Sequence, residues 1–416
     1  MSIFPKMVKV KLHYKTPELD DISAELKRQL QESTVNIKSG AKIGIAVGSR
    51  GIYKTHEFVK TLIAFLKEKG AQPVIIPAMG SHGGANSDGQ KEVLAGYGIS
   101  EEEMGVPVQA SMTTIYVGTI DEDVPVYFDK IASTLDGIIL LNRVKPHTDF
   151  HAEYESGLMK QMVIGLGNHK GAQNVHSYGI YGLKELIPQS ARLILEKMPI
   201  LMGVAIIENA KDHTAEIHVV EAEEIPKTEP MLLEKAKDLM PYLPFKHIDL
   251  LVVQEVGKNI SGVGIDPNIT GRTFIRFAES EQNFINRIVC LDLTPESHGN
   301  ALGIGIADVV PQRIYDKIDF KATYANVITS GFLERGFIPI VQGNDYKALK
   351  VALKCCGRKV TPENAKVVQI KNTLQLEEIY ISEALLKEIK SEITWDIEEK
   401  FSYKFSDKGD LLHLLR

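Results

Sequence analysis

The sequence predicts an α/β protein with two Rossmann-like domains, mostly parallel sheets and an active-site cleft between the domains. Two observations predict this class. Apolar runs of strand length recur along the chain, each followed by a turn-rich segment and often by helical periodicity. The run 136–144 is almost wholly apolar, which is typical of a parallel strand that is buried on both faces.

The first βαβ unit shows this rhythm most clearly. The run Lys42–Val47 predicts a strand, and apolar residues at helical spacing predict a helix from Thr55 until Gly70 ends it. The segment Gln72–Pro77 predicts the next strand. Both strands open into glycine-rich loops, and the segment is predicted to be a βαβ unit.

The later elements define the predicted domains. Further strands are predicted at 200–207, 249–253, 327–329, 338–341 and 365–370, and a helix at 383–390. The composition becomes charged and proline-bearing before a new strand near residue 245, which predicts a domain boundary there. We therefore expect an N-terminal domain of residues 1–245, a C-terminal domain of residues 246–385 that closes the cleft, and a final segment, 386–416, that docks on the N-terminal domain.

The composition excludes several classes of protein. With 44% hydrophobic residues, 25% charged residues and a net charge of −6, the chain is typical of a compact globular protein without the basic excess that nucleic acid requires. Its three cysteines, two of them adjacent, do not suggest a disulfide framework, which favours the cytoplasm. No export signal or membrane span is predicted, and a homo-oligomer is compatible with the sequence.

Polar side chains follow three predicted strands at the point where each strand ends. Because parallel strands end at one edge of a sheet, we expect these residues to share a site: Ser49, Arg50, Ser81, His82, Lys145, His147 and Asp149. A guanidinium group matches a carboxylate, and two histidines can remove a proton on one side of a small substrate and return it on the other. A surface ion pair at Arg50 and a structural turn at His82 are the alternative interpretations.

A second polar block covers residues 151–176. Gly165 and Gly167 permit a phosphate-binding turn, although the Walker pattern is absent. His169 and His176 lie seven residues apart, which would place them on one face if the segment is helical. Such a pair could bind a metal ion, but no zinc motif accompanies them, and exposed surface histidines are the alternative. The residue pattern alone favours a phosphate contact or a surface position for Lys160.

These residues resemble the nickel-dependent lactate racemase family in order and spacing. The similarity covers roughly the first half of the chain. It rests on Arg50, Gly80-Ser81-His82, Lys145-Pro146-His147, Lys160 in its Ser-Gly-containing loop, and Asn174-Val175-His176.

The resemblance implies a racemase or epimerase that inverts C2 of a 2-hydroxy acid by reversible hydride transfer. Lys160 would hold the nickel pincer nucleotide (pyridinium-3,5-bisthiocarboxylic acid mononucleotide nickel) covalently, and His176 would bind the nickel. His82 and His147 would be the catalytic acid and base, and Arg50 would bind the substrate. Cofactor maturation proteins would be partners. Further cofactor contacts are expected at Ser49, Gly165 and Gly167.

Two departures from the family bear on the substrate. The loop between His147 and Lys160 is longer than in the family, which leaves His151 as an alternative to His147. Where lactate-type members have a glutamine and a lysine in the C-terminal domain, this chain has the segment 266–272. There we expect substrate contacts that suit a larger polar or sugar acid, from Asn268, Thr270 and Arg272.

Two other functions remain open from the sequence. A metal-dependent hydrolase or lyase would bind zinc or manganese directly through His82, His147 or His176, without a covalent nucleotide. A non-catalytic carrier would hold the pincer cofactor and deliver it elsewhere, and would not need His82 or His147. Replacing Lys160 or the two histidines distinguishes these functions.

Overall fold

The computed structural model describes residues 3–148, 150–273, 284–389 and 393–416, so the predicted loop residue Asp149 lies outside the described residues. The chain forms two compact units. Residues 15–240 form the N-terminal unit, and residues 1–14 with 241–416 form the C-terminal unit.

The strands are β1 (Lys6–His13), β2 (Lys42–Val47), β3 (Gln72–Pro77), β4 (Thr114–Ile120), β5 (Val124–Asp129), β6 (Gly137–Arg143), β7 (Ile200–Glu208), β8 (Thr214–Glu221), β9 (His247–Val256), β10 (Phe284–Leu293), β11 (Val309–Pro311), β12 (Ile340–Gln342), β13 (Val367–Ile370), β14 (Glu378–Ser382) and β15 (Thr394–Ser402).

The α-helices are α1 (Ile22–Glu32), α2 (Thr55–Glu68), α3 (Ser87–Gly96), α4 (Glu101–Met104), α5 (Leu158–Lys160), α6 (Asn168–His176), α7 (Gly179–Tyr181), α8 (Ile187–Lys197), α9 (Ile225–Leu239), α10 (Pro267–Thr270), α11 (Gln312–Lys317), α12 (Phe320–Ser330) and α13 (Asp345–Lys354). Two π-helical turns, Gln161–Gly165 and Gly182–Leu186, continue α5 and α7. Among the described residues, no helix combines the length and the hydropathy of a membrane span.

The N-terminal unit is a five-stranded sheet with helices on both faces. Its strand order is β3-β2-β6-β7-β8, parallel except for β8, and β4 and β5 form a separate hairpin. Alternate residues of β6 enter two different cores: Ile138 and Leu140 lie in one, and Ile139 and Leu141 lie in the other. This double burial explains the apolar run in the sequence and confirms the predicted α/β class.

The C-terminal unit contains an eight-stranded mixed sheet, in the order β12-β11-β10-β9-β13-β14-β1-β15. The first five strands in this order are parallel, and the last three pair antiparallel. The unit bounds differ from the predicted domain bounds, because the pairing of β1 with β14 and β15 brings residues 1–14 and the final segment into this unit.

Two local predictions are wrong. Residues 327–329 were expected to form a strand but lie in α12, whose first turn is capped by Asp319 through the N–H of Ala322 at 3.0 Å. The predicted helix at 383–390 is a single 3₁₀ turn, Glu383–Leu385, and Lys390 lies outside the described residues. Leu385 is fully buried in that turn.

Candidate active site at the carboxyl edge of the N-terminal sheet

The loops that follow parallel strands lie at one edge of the N-terminal sheet. Arg50 follows β2, His82 follows β3 and His147 follows β6, and these strands are parallel neighbours. The topological switch point of the sheet lies between β2 and β6, because the chain adds β3 on one side of β2 and then crosses to add β6 on the other side. Ligands of open α/β sheets bind outside such a switch point. The three strand-end residues therefore share the edge at which a ligand is expected.

The turn after β3 fixes the tautomer of His82. Its Nδ1 lies 2.9 Å from the carbonyl oxygen of Met79. A carbonyl oxygen only accepts hydrogen bonds, so Nδ1 carries the proton and donates it, and Nε2 holds the lone pair of the neutral ring. His82 can therefore accept a proton or bind a metal ion through Nε2.

A buried carboxylate, Glu155, organises the loop that carries His147. The backbones of Lys145 and Ser156 pair at the base of this loop, with N···O distances of 2.8 and 3.2 Å. Within the loop, the backbone N–H of His147 donates to Glu155 Oε2 at 2.6 Å, and the His147 ring packs on Phe150. The Glu155 side chain is completely buried. A buried carboxylate thus ties the backbone of His147 to the end of the longer loop.

His151 lies in a different environment from His147. Its Nδ1 is 3.4 Å from Glu155 Oε1, and its side chain is 55% exposed. It lines a surface pocket whose other walls, in the described part of the chain, come from residues 152–153 and 184–192. Residues 184–192 belong to the π-helical turn after α7 and to α8, which do not directly follow a strand of the sheet. This placement favours His147 as the histidine of the carboxyl edge.

The segment 158–165, which we call the first arm, crosses the switch point. The Nε2 group of Gln161 donates to the carbonyl oxygens of Ala46 on β2, at 3.1 Å, and of Leu141 on β6, at 3.0 Å. Gln161 is 4% exposed. Since Lys160 directly precedes Gln161, its backbone is held at the carboxyl ends of β2 and β6.

Both ends of the first arm contact strand-end residues. At the start, the carbonyl oxygen of Gly157 accepts a hydrogen bond from Asn142 Nδ2, at the end of β6, at 2.8 Å. At the finish, the carbonyl oxygen of Gly165 accepts the N–H of Gly80 at 3.0 Å. A Cβ atom on Gly165 would lie 2.7 Å from the carbonyl oxygen of Ala78. The glycine at 165 therefore serves close packing of the arm against the turn that contains His82, and its predicted cofactor contact stays a prediction.

Glu229 of α9 caps the beginning of the first arm. Its side chain is fully buried and accepts the N–H of Met159 at 2.9 Å. A Cβ atom on Gly157 would overlap the Glu229 carboxyl group, so the position requires glycine. Burial raises the pKa of Glu229 to about 7, and the backbone hydrogen bonds at the helix start oppose the rise. A carboxyl group that titrates near neutral pH thus lies close to the backbone of Lys160.

Helix α6, which we call the second arm, packs against the turn after β3 that the first arm also contacts. Its first residue, Asn168, has a φ of +53° and forms the break between the two arms. The carbonyl oxygen of Ile164 and the Cβ of Ala172 lie 2.8 and 3.5 Å from the position that a Cβ of Gly80 would take. The two arms therefore meet at the turn that contains His82. His176 lies one helical turn beyond Ala172 on the same face.

The other predicted cofactor residues lie nearby. The carbonyl oxygen of Ser49 accepts a hydrogen bond from the Tyr97 hydroxyl at 2.6 Å. Burial raises the pKa of Tyr97, whereas the charge of Arg50 lowers it, which places Arg50 within electrostatic range of this ring. A Cβ atom on Gly167 would overlap the carbonyl oxygen of Val163, so this glycine permits the tight break between the arms.

The predicted substrate residues of the C-terminal unit have structural contacts of their own. The Nη1 group of Arg272 donates to Asp308 Oδ2 at 2.8 Å, and its two Nη groups also donate to the carbonyl oxygens of Ile285, Asn286 and Ile306. A substrate carboxylate would have to displace these partners. Thr270 is fully buried, and Asn268 is half-buried with its backbone N–H on Asp266 Oδ1.

Four residues that organise the edge were not singled out from the sequence: Glu155, Gln161, Asn168 and Glu229. Three of them, Glu155, Gln161 and Asn168, lie in the polar block at 151–176. Glu229 lies some seventy residues away on another helix, and no local pattern connects it with Lys160. Within residues 3–148, 150–273, 284–389 and 393–416, no group of three or more His, Cys, Asp or Glu side chains has the arrangement of a metal site.

The fold and the site define a class: an α/β protein with two units, whose N-terminal sheet presents histidine, arginine and lysine at its switch point. Comparison with known proteins assigns a family to the N-terminal part of this chain. Residues 10–184 match the model of the lactate racemase N-terminal domain, so this part of the chain is such a domain and the predicted family resemblance is confirmed.

The fold is similar to that of a solved structure, the lactate racemase apoprotein from Thermoanaerobacterium thermosaccharolyticum. The TM-score is 0.53, the sequence identity is 15%, and the match covers 87% of this chain and 94% of that chain. At this identity the likeness establishes the fold alone. No curated protein matches the chain significantly.

Proposed function

We propose that this protein is a racemase or epimerase that inverts C2 of a 2-hydroxy acid, with a nickel pincer nucleotide attached to Lys160. One observation supports the proposal most. Gln161 holds the backbone next to Lys160 at the switch point, on the edge that also carries His82 and His147. The family match of residues 10–184 and the shared fold support the reaction type.

The donor set of the two arms fits this cofactor. A tethered pincer nucleotide needs one amine and one imidazole from the protein, and Lys160 and His176 lie on two arms that meet at Gly80. The Oε1 atom of Gln161 is buried and has no hydrogen-bond donor within the described residues. It therefore leaves a hydrogen-bond acceptor next to Lys160, the proposed attachment point. Lys160 would hold the nucleotide and His176 the nickel. When bound, the group supplies a reversible hydride acceptor for C2.

The remaining steps belong to the chain itself. His82, with Nδ1–H donated to Met79, presents Nε2 as the base that takes the proton of the 2-hydroxyl group. His147, on the neighbouring loop, is the second proton carrier, and Arg50 holds the substrate carboxylate. Two proton carriers are needed because inversion returns the substrate with opposite handedness, so each enantiomer presents its hydroxyl group differently.

The first experiment measures intact mass and nickel content after production beside the pincer-nucleotide maturation proteins. We expect a covalent adduct with nickel in the wild type and no adduct in Lys160→Ala. The matched control is Lys170→Ala, which removes a lysine from the second arm, where its Nζ lies over the Tyr127 ring at 4.1 Å. His176→Ala should keep the adduct and lose the nickel.

The outcomes separate the candidate functions. An absent adduct, in a host where a known lactate racemase matures, contradicts the role of Lys160; stoichiometric zinc or manganese would then favour the hydrolase or lyase. An adduct together with inversion of a chiral 2-hydroxy acid, lost in His82→Ala and His147→Ala, supports the racemase. An adduct that transfers to another protein without any inversion indicates the carrier.

A further inference from the structure

The break between the two arms contains a buried polar pair. Asn168 is fully buried, and its Nδ2 donates to Asp129 Oδ2 at 2.7 Å and to the carbonyl oxygen of Ser111 at 2.9 Å. Asp129, at the end of β5, is 2% exposed and also accepts the N–H of Ala132. Within the described residues, the Oδ1 of Asn168 has no partner. Burying such groups among apolar side chains costs stability, so the pair needs a further explanation.

The backbone at the break supports the same conclusion. Asn168 has a φ of +53°, whereas the adjacent Gly167, which would adopt a left-handed conformation without strain, has a φ of −73°. The left-handed conformation therefore falls on Asn168, whose side chain is hydrogen-bonded to Asp129 at the end of the β4–β5 hairpin. Asparagine tolerates this region better than most residues, but it still costs more than glycine.

The break decides where the second arm lies. In an uninterrupted α-helix, eight residues rise about 12 Å, yet Ile164 and Ala172 both contact the position of a Gly80 Cβ. Sixteen residues of continuous helix would separate positions 160 and 176 by about 24 Å. The turn at Asn168 makes this separation shorter than in a continuous helix, because both arms then contact Gly80.

We propose that Asn168, held by Asp129, is a positioning residue that sets the angle between the two arms and therefore the distance between Lys160 and His176. The importance of this distance rests on the proposed function, since those residues are the proposed tether and nickel ligand. The angle itself is a property of the chain and can be measured without cofactor.

The experiment measures the distance between spin labels at Lys160→Cys and His176→Cys by pulsed electron resonance. The background carries Cys355→Ser and Cys356→Ser. Cys290 can stay, because it is fully buried and burial raises the pKa of its thiol to about 12.

Two further variants are compared in this labelled protein. Asn168→Gly permits the left-handed backbone and removes both side-chain hydrogen bonds of the break. The matched control, Asn174→Ala, removes a hydrogen bond of 2.8 Å between the same helix and Pro125, away from the break. We expect the distance distribution to become at least twice as wide, or to shift towards 24 Å, in Asn168→Gly, and to stay unchanged in the control.

The proposal would be overturned if the distance distribution of Asn168→Gly superimposes on that of the labelled protein without this change. Equal broadening in Asn174→Ala would also overturn it, because any loosening of α6 would then have the same effect. If Asn168→Gly does not fold, Asp129→Asn removes one acceptor from the pair and is read in the same way.

A second readout uses the cofactor-loaded chain without labels. If both proposals hold, Asn168→Gly keeps the covalent adduct on Lys160 but loses nickel on dialysis at least tenfold faster than the wild type. An altered distance in a chain that never acquires the adduct would refute the proposed function and leave the positioning role intact. Unaltered distances with a normal adduct would refute only the positioning role.

Discussion

The buried carboxyl group of Glu229 makes the stability of the N-terminal unit depend on pH. It caps the first arm at Met159 and is fully buried, so its charged form is disfavoured in the folded chain. Its pKa rises on folding, which means that the folded state binds more protons than the unfolded state between the two pKa values. Stability is therefore greatest below the unfolded pKa and falls as the pH rises through the folded pKa.

The magnitude follows from the two pKa values. A rise from the ordinary value of 4.5 to about 7 corresponds to about 3 kcal/mol, because each tenfold change in proton affinity is worth about 1.4 kcal/mol. Glu229→Gln cannot ionise, so it should lack this dependence. We expect the free energy of unfolding of the variant, relative to the wild type, to rise by about 3 kcal/mol between pH 4.5 and pH 8.

Peptide-resolved hydrogen exchange over residues 158–176 measures this difference. It is preferable to tryptophan fluorescence, because the single tryptophan, Trp395, lies in the C-terminal unit. Glu234→Gln is the control, since it neutralises an exposed carboxylate on the same helix. Parallel pH profiles for wild type and Glu229→Gln would refute the reasoning, whatever the absolute stabilities.

Two further predictions concern packing and the C-terminal unit. Gly80→Ala should destabilise the N-terminal unit by about 2 kcal/mol, because its φ is +60° and the new Cβ would lie 2.8 Å from the carbonyl oxygen of Ile164. The amide protons of residues 158–176 should then exchange faster with solvent. The control is Gly96→Ala, whose Cβ would have no atom within 4 Å and which should be neutral or stabilising. Arg272→Met should lower the free energy of unfolding of the C-terminal unit, followed by Trp395 fluorescence, by about 2 kcal/mol, because it leaves Asp308 without its ion pair. A raised KM with unchanged stability would instead support a substrate role for Arg272.

The sequence predicts the N-terminal sheet well because its strands carry a local signal. Lys42–Val47 and Gln72–Pro77 are apolar runs between turn residues, and the observed strands have the same bounds. The error at 327–329 has a physical reason, since a β-branched run favours a strand locally but Asp319 caps a helix that includes it. The pairing of β1 with strands near the end of the chain has no local signal at all.

The candidate site was predictable to a different extent. Strand-end residues can be placed at one edge because parallel strands require it, which is why Arg50, His82 and His147 were accessible to sequence reasoning. The two arms were not. Helical periodicity around Lys160 and His176 does not reveal the break at Asn168, because the break depends on a hydrogen bond to Asp129, thirty-nine residues earlier.

The geometry of the second arm also bears on which metal chemistry the edge can support. His169 and His176 both lie on α6, but seven residues of helix separate them by about 10 Å along the axis. Metal-binding pairs on one helix lie three or four residues apart, as in HExxH, because each metal–nitrogen bond is only about 2 Å long. A metal ion bound by His176 therefore needs its other donors from outside α6. A group attached to Lys160, on an arm that meets α6 at Gly80, would supply them, which is the arrangement that the proposed function requires.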